Sequence, residues 1–457
     1  MLVLSDKQKD FWDSVLPKEL LKLNEELTTI DQILNDDRFF KPIVEKFNTK
    51  WGRPTIPVSL YLRMMYLKHR YQLGYELLVK EVKDSIQWRR FCGLSLSSPV
   101  PDSTTLIKLT KKYGEKTIEE INNLLTEKLK EKKVIRGKRL RIDSTIVESD
   151  IHYPTDANLI ADGVRLITRV IKKIKRLGVS RRTHFQDHTR LTKKALLKVA
   201  SALRDKSEGG KQRVEVEVKG LMRILHKVHK RAQAVQRASL REMVHLSETK
   251  RRELRRLKKN LSLFLRRSTK ILRQTKLVLS GKRSIPRRMV SFFDPEARPI
   301  CQGKLSQPVQ FGRKVVLQET ENGIITGYKV CQGNPRDSTL LRGALRRHIA
   351  LFGRPPPEIA TDRGFSSASN ERWLKRKGVK RIAIPKRGKK SKERKLHERQ
   401  HWFKRLQRFR AGAEAKISLL KRKFGLRRSR LRGTGGTWIW VGWSILAHNL
   451  WQTARVS

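Results

Sequence analysis

The chain has 457 residues, with 105 Lys and Arg against 43 Asp and Glu, so its formal net charge is +62. Hydrophobic residues make up 38% of it, enough to bury a real core, which excludes wholesale disorder, while a charge surplus of this size calls for a polyanionic partner, nucleic acid by default. Cys92, Cys301 and Cys331 are too few and too scattered for a disulfide scaffold, and no CxxC or Cys/His spacing of a zinc module occurs.

In chain order, the opening MLVLSDKQKDFW lacks the basic-then-apolar order of a signal peptide. The Trp51-Gly52-Arg53-Pro54 turn precedes a helix with apolar Leu60, Tyr61, Met64, Met65 and Leu67, and a second helix carries Tyr75, Leu77, Leu78 and Val82. Asp102 or Ser103 is a fitting N-cap for the helix running toward Tyr113. Lys138 to Val147 then reads as a strand, with Leu140, Ile142, Ser144 and Ile146 alternating with Arg141, Asp143, Thr145 and Val147.

No proline lies between Pro154 and Pro286, which favours long helices. Ile160, Val164, Ile167, Ile171 and Ile174 form one narrow apolar seam, and Leu254, Leu257, Leu261 and Phe264 another, as in a helical hairpin or small bundle with basic outer faces. Ser207-Glu208-Gly209-Gly210 is the expected hinge. Residues 151–280 carry 35 basic and 10 acidic residues, and residues 371–432 carry 26 and 4, so the positive field belongs to the middle and the C-terminal third.

After Pro286 the strand pattern returns. Lys314 to Gln318 and Ile324 to Val330 flank the hairpin signal Glu321-Asn322-Gly323. A helix from Ser338 to about Leu351, capped by Asp337, precedes a strand over Glu358 to Asp362, a helix over Asn370 to Lys377 and a strand over Arg381 to Ile384. Pro385 to Glu398 reads as a basic loop, solvated and ordered only on DNA. A long helix follows from about Trp402 to Phe424. The most apolar stretch, Trp438 to Leu450, carries Ser444, His448 and Asn449 and is too short for a membrane span, so it reads as a core helix. Core packing is likewise the favoured role of Trp438, Trp440 and Trp443. These elements predict an α/β fold with a mixed sheet interrupted by a helical insertion.

Three acids stand out by position. Asp143 lies inside the first strand, between Ile142 and Ser144, Asp362 at the C-terminal end of the Ile359-Ala360 strand, and Glu414 midway along the last long helix. Carboxylates on separate elements suit a two-metal phosphoryl-transfer site, because hard Mg²⁺ or Mn²⁺ prefers oxygen ligands and two such ions stabilise both oxygens of an in-line displacement. Arg410 and Lys421 stand four before and seven after Glu414, within roughly 40° of it around the helix. The bland readings stay open here: a hydrogen-bonding or turn role for Asp143, a cap for Asp362, and an i, i+4 pair between Arg410 and Glu414. His152, Tyr153 and Asp156 line the site or cap a loop; Asp337 is read as a helix cap rather than a fourth ligand.

The chain resembles the DDE transposases of bacterial insertion sequences. The resemblance is carried by Trp51-Gly-Arg-Pro54, Leu62-Arg-Met-Met65, Arg89-Arg-Phe-Cys-Gly-Leu94 and Pro101-Asp-Ser-Thr-Thr-Leu106 in front, then by Arg141-Ile-Asp-Ser-Thr145 with Ile151-His-Tyr-Pro-Thr-Asp156, and by Ala360-Thr-Asp-Arg-Gly-Phe365. Arg410, Glu414 and Lys421 have the separations of the family's Tyr-x2-Arg-x3-Glu-x6-Lys signature, with Gln407 in the Tyr position. The long insertion after the first Asp is similar to the ISNCY-type subgroup. The resemblance implies an RNase H-like mixed sheet, residues 136–156 with 286–457, an N-terminal all-helical domain over 1–135 for DNA-end binding or dimerisation, and a basic helical insertion over 157–285. It implies Asp143, Asp362 and Glu414 as the catalytic metal-binding triad for two Mg²⁺ or Mn²⁺ ions. Arg410, Lys421, Arg363, Lys386 and Arg387 are then the DNA-binding residues.

The implied activity is metal-dependent phosphodiester cleavage at the element's ends and strand transfer into target DNA. Its partners are the terminal inverted repeats, target DNA and a second copy of the chain in the synaptic complex, with no membrane. The expected place is the bacterial cytoplasm, at the nucleoid. The rival readings are a decayed transposase that binds ends without cutting, and a non-enzymatic basic nucleic-acid-binding protein.

Overall fold

The computed structural model describes residues 22–46, 54–282, 284–301 and 308–456, together with positions 3, 4, 15, 17 and 19. Residues 51–53 of the expected turn lie outside them. The chain divides into two compact units, one of residues 1–150 and 300–457, the other of residues 151–299.

The first unit opens with helices α1 (Glu25–Leu34), α2 (Lys41–Val44), α3 (Val58–Arg70), α4 (Tyr75–Asp84), α5 (Ile86–Phe91) and α6 (Ser103–Glu131). Helix α3 is buried all round, from Leu60 and Met64 to the polar Arg63, Lys68 and His69. Leu78 and Val82 of α4 are buried as their spacing predicts, whereas Leu77 is exposed. Asp102 caps α6, its Oδ1 accepting from the Thr104 N–H at 2.7 Å. That helix runs well past Tyr113, through a kink at Gly114 where φ is +77°.

The sheet is mixed. Strands β1 (Arg139–Ser149), β2 (Arg298–Cys301), β3 (Val309–Glu319), β4 (Ile325–Val330), β5 (Glu358–Thr361), β6 (Arg381–Ala383) and β7 (Arg428–Ser429) make seven strands in the order β2-β3-β1-β5-β6, with β4 also on β3 and β7 on β1. Strand β1 is antiparallel to β3 and parallel to β5, and β5 is parallel to β6. The β3–β4 connection turns through Asn322 and Gly323, both left-handed at φ +62° and +73°, as the Asn-Gly pair predicts.

Helix α11 (Asp337–Phe352) and α12 (Ala368–Arg376) cover one face of this sheet, where Leu140 and Ile142 of β1 pack with Leu341, Leu345, Ile359 and Leu374. The N-cap of α11 is Arg336, not Asp337, which is the first helical residue. Helix α14 (His401–Lys423) covers the other face, its Phe403 and Leu406 lying against the small Ala360 and Ala383. Strand β1 is therefore buried on both faces, and its alternation does not separate core from solvent. The stretch expected as a loop is partly helical: α13 (Lys392–Arg399) is capped by Ser391. Arg394 bridges Glu371 and Glu398 at 3.0 and 2.9 Å, and Lys390 reaches the same Glu398 at 2.5 Å. The last helix, α15 (Gly433–Val456), buries Trp443 in the core shared by the N-terminal helices and the sheet and Trp440 against His69 and Lys68. Among the described residues no helix is long and apolar enough to cross a membrane.

The second unit holds α7 (Asp156–Arg176), α8 (Thr189–Ala202), α9 (Glu208–Arg241) and α10 (Glu248–Leu279). Ile160, Val164, Ile167, Ile171 and Ile174 are all buried, as are Leu254, Leu257 and Leu261, with Phe264 half-buried beside them. The chain reverses at the expected hinge, where Ser207 caps α9 by accepting from the Gly210 N–H at 3.1 Å.

Candidate active site

Asp143 sits at the middle of the central strand and points to the face covered by α14, which strand alternation assigns to Arg141, Asp143 and Thr145 together. It is only 9% exposed. Burial pushes its carboxyl up to about 6, helped by the nearby charges of Asp362 and Glu414 and opposed by the Arg410 guanidinium and the Ser144 N–H. That N–H donates to Asp143 Oδ1 at 2.7 Å.

Asp362 follows β5 directly, so the parallel pairing of β5 on β1 brings it beside Asp143. Its Oδ1 accepts from the Gly364 N–H at 2.9 Å. Gly364 is a close approach rather than an unusual turn: a Cβ there would stand 3.0 Å from Asp362 Oδ1 and 3.1 Å from Asp337 Oδ2, so both carboxylates would have to give by a few tenths of an ångström. Asp337 is thus not the cap it was expected to be. Its carboxylate faces the site and pairs with Lys314 Nζ at 3.2 Å, while Lys314 also donates to the Pro335 carbonyl at 2.9 Å.

Helix α14 supplies the third acid. Gln407 fixes its first half, the side-chain amide donating to the Thr361 and Ala383 carbonyls at 3.3 and 2.7 Å, the ends of β5 and β6. One turn on, Arg410 points at the acids: Nη2 lies 3.5 Å from Asp143 Oδ2 and Nη1 lies 3.1 Å from Glu414 Oε1. The i, i+4 pair of the bland reading is therefore present, and the same guanidinium also faces Asp143. The Glu414 side chain is 70% exposed.

Asp143, Asp362, Glu414, Arg410 and Lys421 all line one open cavity of about 740 Å³, to which Asp337, Lys314 and Asn334 also contribute. Arg363, Lys386 and Arg387 do not line it: Arg363 is exposed in the 3-10 turn after Asp362, the Lys386 N–H donates to Glu398 at 2.9 Å, and Arg387 is exposed. Asp156 caps nothing in this cavity either; it pairs with Arg288 at 2.7 Å within the second unit, where His152 lies 3.7 Å from Asp162. Lys314 and Asn334 escaped the sequence reading. A cation at the very head of the apolar run Val315-Val316-Leu317, beside Arg313, was the available signal for Lys314.

The donor set is all carboxylate oxygen, which fits a hard divalent cation. Among the described residues no three acidic, His or Cys side chains converge on one point, because Glu414 leans to Arg410. Asp143, Asp362, Glu414 and the neighbouring Asp337 are the residues available to hold such an ion.

A family described as a transposase domain, DUF772, matches residues 16–112, and a family described as a transposase DDE domain matches residues 304–450. The chain is also 27% identical over 166 residues to the uncharacterized protein ORF8 in the nfe locus of Rhizobium meliloti, a match spanning 35% of this chain and 73% of that protein. No solved structure matches the chain. Transposase domains on both sides of the helical insertion, together covering more than half of its residues, mean that the chain belongs to the DDE transposases of insertion sequences.

Proposed function

We propose that the chain binds the ends of its insertion sequence, cleaves phosphodiesters there and joins the ends to target DNA, with Asp143, Asp362 and Glu414 as the catalytic acids. The observation that carries this reading is the single cavity lined by all three, drawn from β1, the end of β5 and α14. The strand order and directions, β4-β3-β1-β5-β6 with β1 antiparallel to β3 and parallel to β5, support an RNase H-like reading of the sheet.

Two divalent ions, Mg²⁺ or Mn²⁺, supply charge stabilisation of the attacking and leaving oxygens when bound. Burial raises the Asp143 carboxyl to about 6, so neutral to alkaline pH would favour the charged form that a divalent ion takes as ligand. The Arg410 guanidinium offsets the mutual repulsion of Asp143 and Glu414, and with Lys421 it receives the DNA phosphates that enter the cavity. The exposed cations of the second unit, with Arg363, Lys386 and Arg387, bind backbone phosphates outside it. The N-terminal helices over 1–135 serve end binding or dimerisation, the catalytic part is 136–156 with 286–457, the insertion is 157–285, and the working assembly is a homodimer at the bacterial nucleoid.

The test is divalent-dependent nicking of a supercoiled plasmid carrying the element's ends. Asp362→Asn removes a ligand without adding bulk and is expected to lower strand cleavage at least a thousandfold while leaving end binding within twofold. Nicking at the wild-type rate rejects the triad. Wild-type nicking by Glu414→Gln alone transfers the third role to Asp337.

A further inference from the structure

We propose that Arg141, Glu319 and Gly412 form a brace that sets the position of α14, and with it Arg410 and Glu414, against Asp143. The inference rests on the transposase reading only for its activity readout. Arg141 stands two residues before Asp143, on the same face of β1. It lies directly opposite Glu319 of β3 in the antiparallel register, and the two are 9% and 4% exposed. The guanidinium grips that carboxylate with two nitrogens: Nε donates to Oε2 at 2.8 Å, and Nη2 donates to Oε1.

Its remaining nitrogen faces the helix. Arg141 Nη1 donates to the Phe409 carbonyl at 2.5 Å, and the guanidinium carbon lies 4.8 Å from the centroid of the Phe409 ring. A carbonyl within a helix already serves its own i+4 N–H, so Arg141 takes its second lone pair. The helix must come close for this contact. Gly412 is the notch that admits it: a Cβ there would stand 2.5 Å from Arg141 Nη1. Phe409 and Gly412 bracket Arg410 and precede Glu414 by five and two residues, so the contact fixes the turn that carries both.

A buried ion pair is a weak stability device, because well-packed apolar side chains of similar volume serve stability as well or better. What such a pair does supply is orientation. The planar fork of Arg, locked on one carboxylate, presents its third edge in a single direction, which Lys does not reproduce. Arg141 is thus a positioning residue, acting on the acids through α14.

Gly412→Ala is the decisive variant. In an ordinary helix the change favours the helical state, and a merely structural Gly412 predicts unchanged cleavage. The brace predicts that the added methyl lifts α14 off Arg141. Cleavage by the full chain is then expected to fall at least tenfold with end binding unchanged, and the amides of residues 408–416 to exchange with solvent at least tenfold faster. Arg141→Lys, which keeps the charge and loses the fork, is expected to act in the same direction. In an Arg141→Met background the methyl has no guanidinium to strike, so adding Gly412→Ala is expected to cause no further loss. Wild-type cleavage with wild-type exchange in Gly412→Ala overturns the brace, as does full additivity in the double variant. If the unaltered chain cleaves no DNA in Mg²⁺ or Mn²⁺, the transposase chemistry is what fails; unchanged exchange in both single variants still overturns the brace.

Discussion

The two units handle charge in opposite ways. The helical unit keeps its cations on the outer faces of long amphipathic helices: along α10, Leu254, Leu257, Leu261 and Leu265 are buried while Arg252, Arg255, Lys259, Arg266 and Arg273 are exposed. The unit with the sheet takes charge inside. Arg63 is 4% exposed and donates to Asp31 Oδ1 at 2.8 and 2.7 Å, Arg313 is 1% exposed, and Arg141 is held on Glu319. Solvated cations are interchangeable and act as a field, whereas each buried one is fixed to a partner by the penalty of leaving it alone. The first arrangement suits a sequence-independent grip on phosphates, the second a site in which ångström placement of carboxylates matters.

Three variants sharpen that contrast. Glu319→Ala strands the buried Arg141 and is expected to lower stability by about 3–5 kcal/mol, read as a shift of the denaturant midpoint; a loss below about 1 kcal/mol makes this pair no different from a surface one. Lys68 is the next largest case. Its ammonium is buried, 4.6 and 4.5 Å from the ring centroids of Tyr75 and Trp440, and burial, with a smaller contribution from the Arg430 charge, lowers its pKa to about 7. The unfolded chain, with an ordinary lysine, binds the proton up to about pH 10.4, so stability rises with pH between roughly 7 and 10 and the penalty is complete below 7. Lys68→Met is therefore expected to stabilise the protein by on the order of 3 kcal/mol at pH 6, with the gain fading toward pH 10; melting at the two pH values reads it. The smallest expected effect on stability belongs to the helical unit. Changing Lys259, Arg266 and Arg273 together to Gln should move stability by less than about 0.5 kcal/mol per site. The same triple change should lower the salt slope of DNA affinity by about one for each phosphate that is no longer neutralised. An unchanged slope, or a large drop in stability, removes the distinction between the units.

The long elements were legible in the sequence because their signals are local. Apolar spacing marked both seams of the helical unit, Asn322-Gly323 marked the hairpin, and Asp102 marked the start of α6. The order of the three acids along strand, strand end and helix was legible too. That they line one cavity is a tertiary matter, since parallel pairing of β5 on β1 and the packing of α14 across both place residues 219 and 271 positions from Asp143 around it. Asp337 shows why local reading fails there: Asp before Ser-Thr reads as a cap, yet the turn begins one residue earlier and its carboxylate is spent on Lys314. The basic segment after Pro385 reads as a loop by composition, yet part of it is helical and its Arg394 pairs with Glu371 and Glu398, a partnership that composition does not reveal. The sequence by itself determined the charge, through composition, and most of the elements, through side-chain spacing within a few turns, while the three acids were singled out by their positions together with the family resemblance. The tertiary structure alone decided which acids share a cavity, that Arg410 stands between two of them, and that Arg141 and Gly412 meet, because these depend on strand pairing and helix packing between residues far apart in the chain.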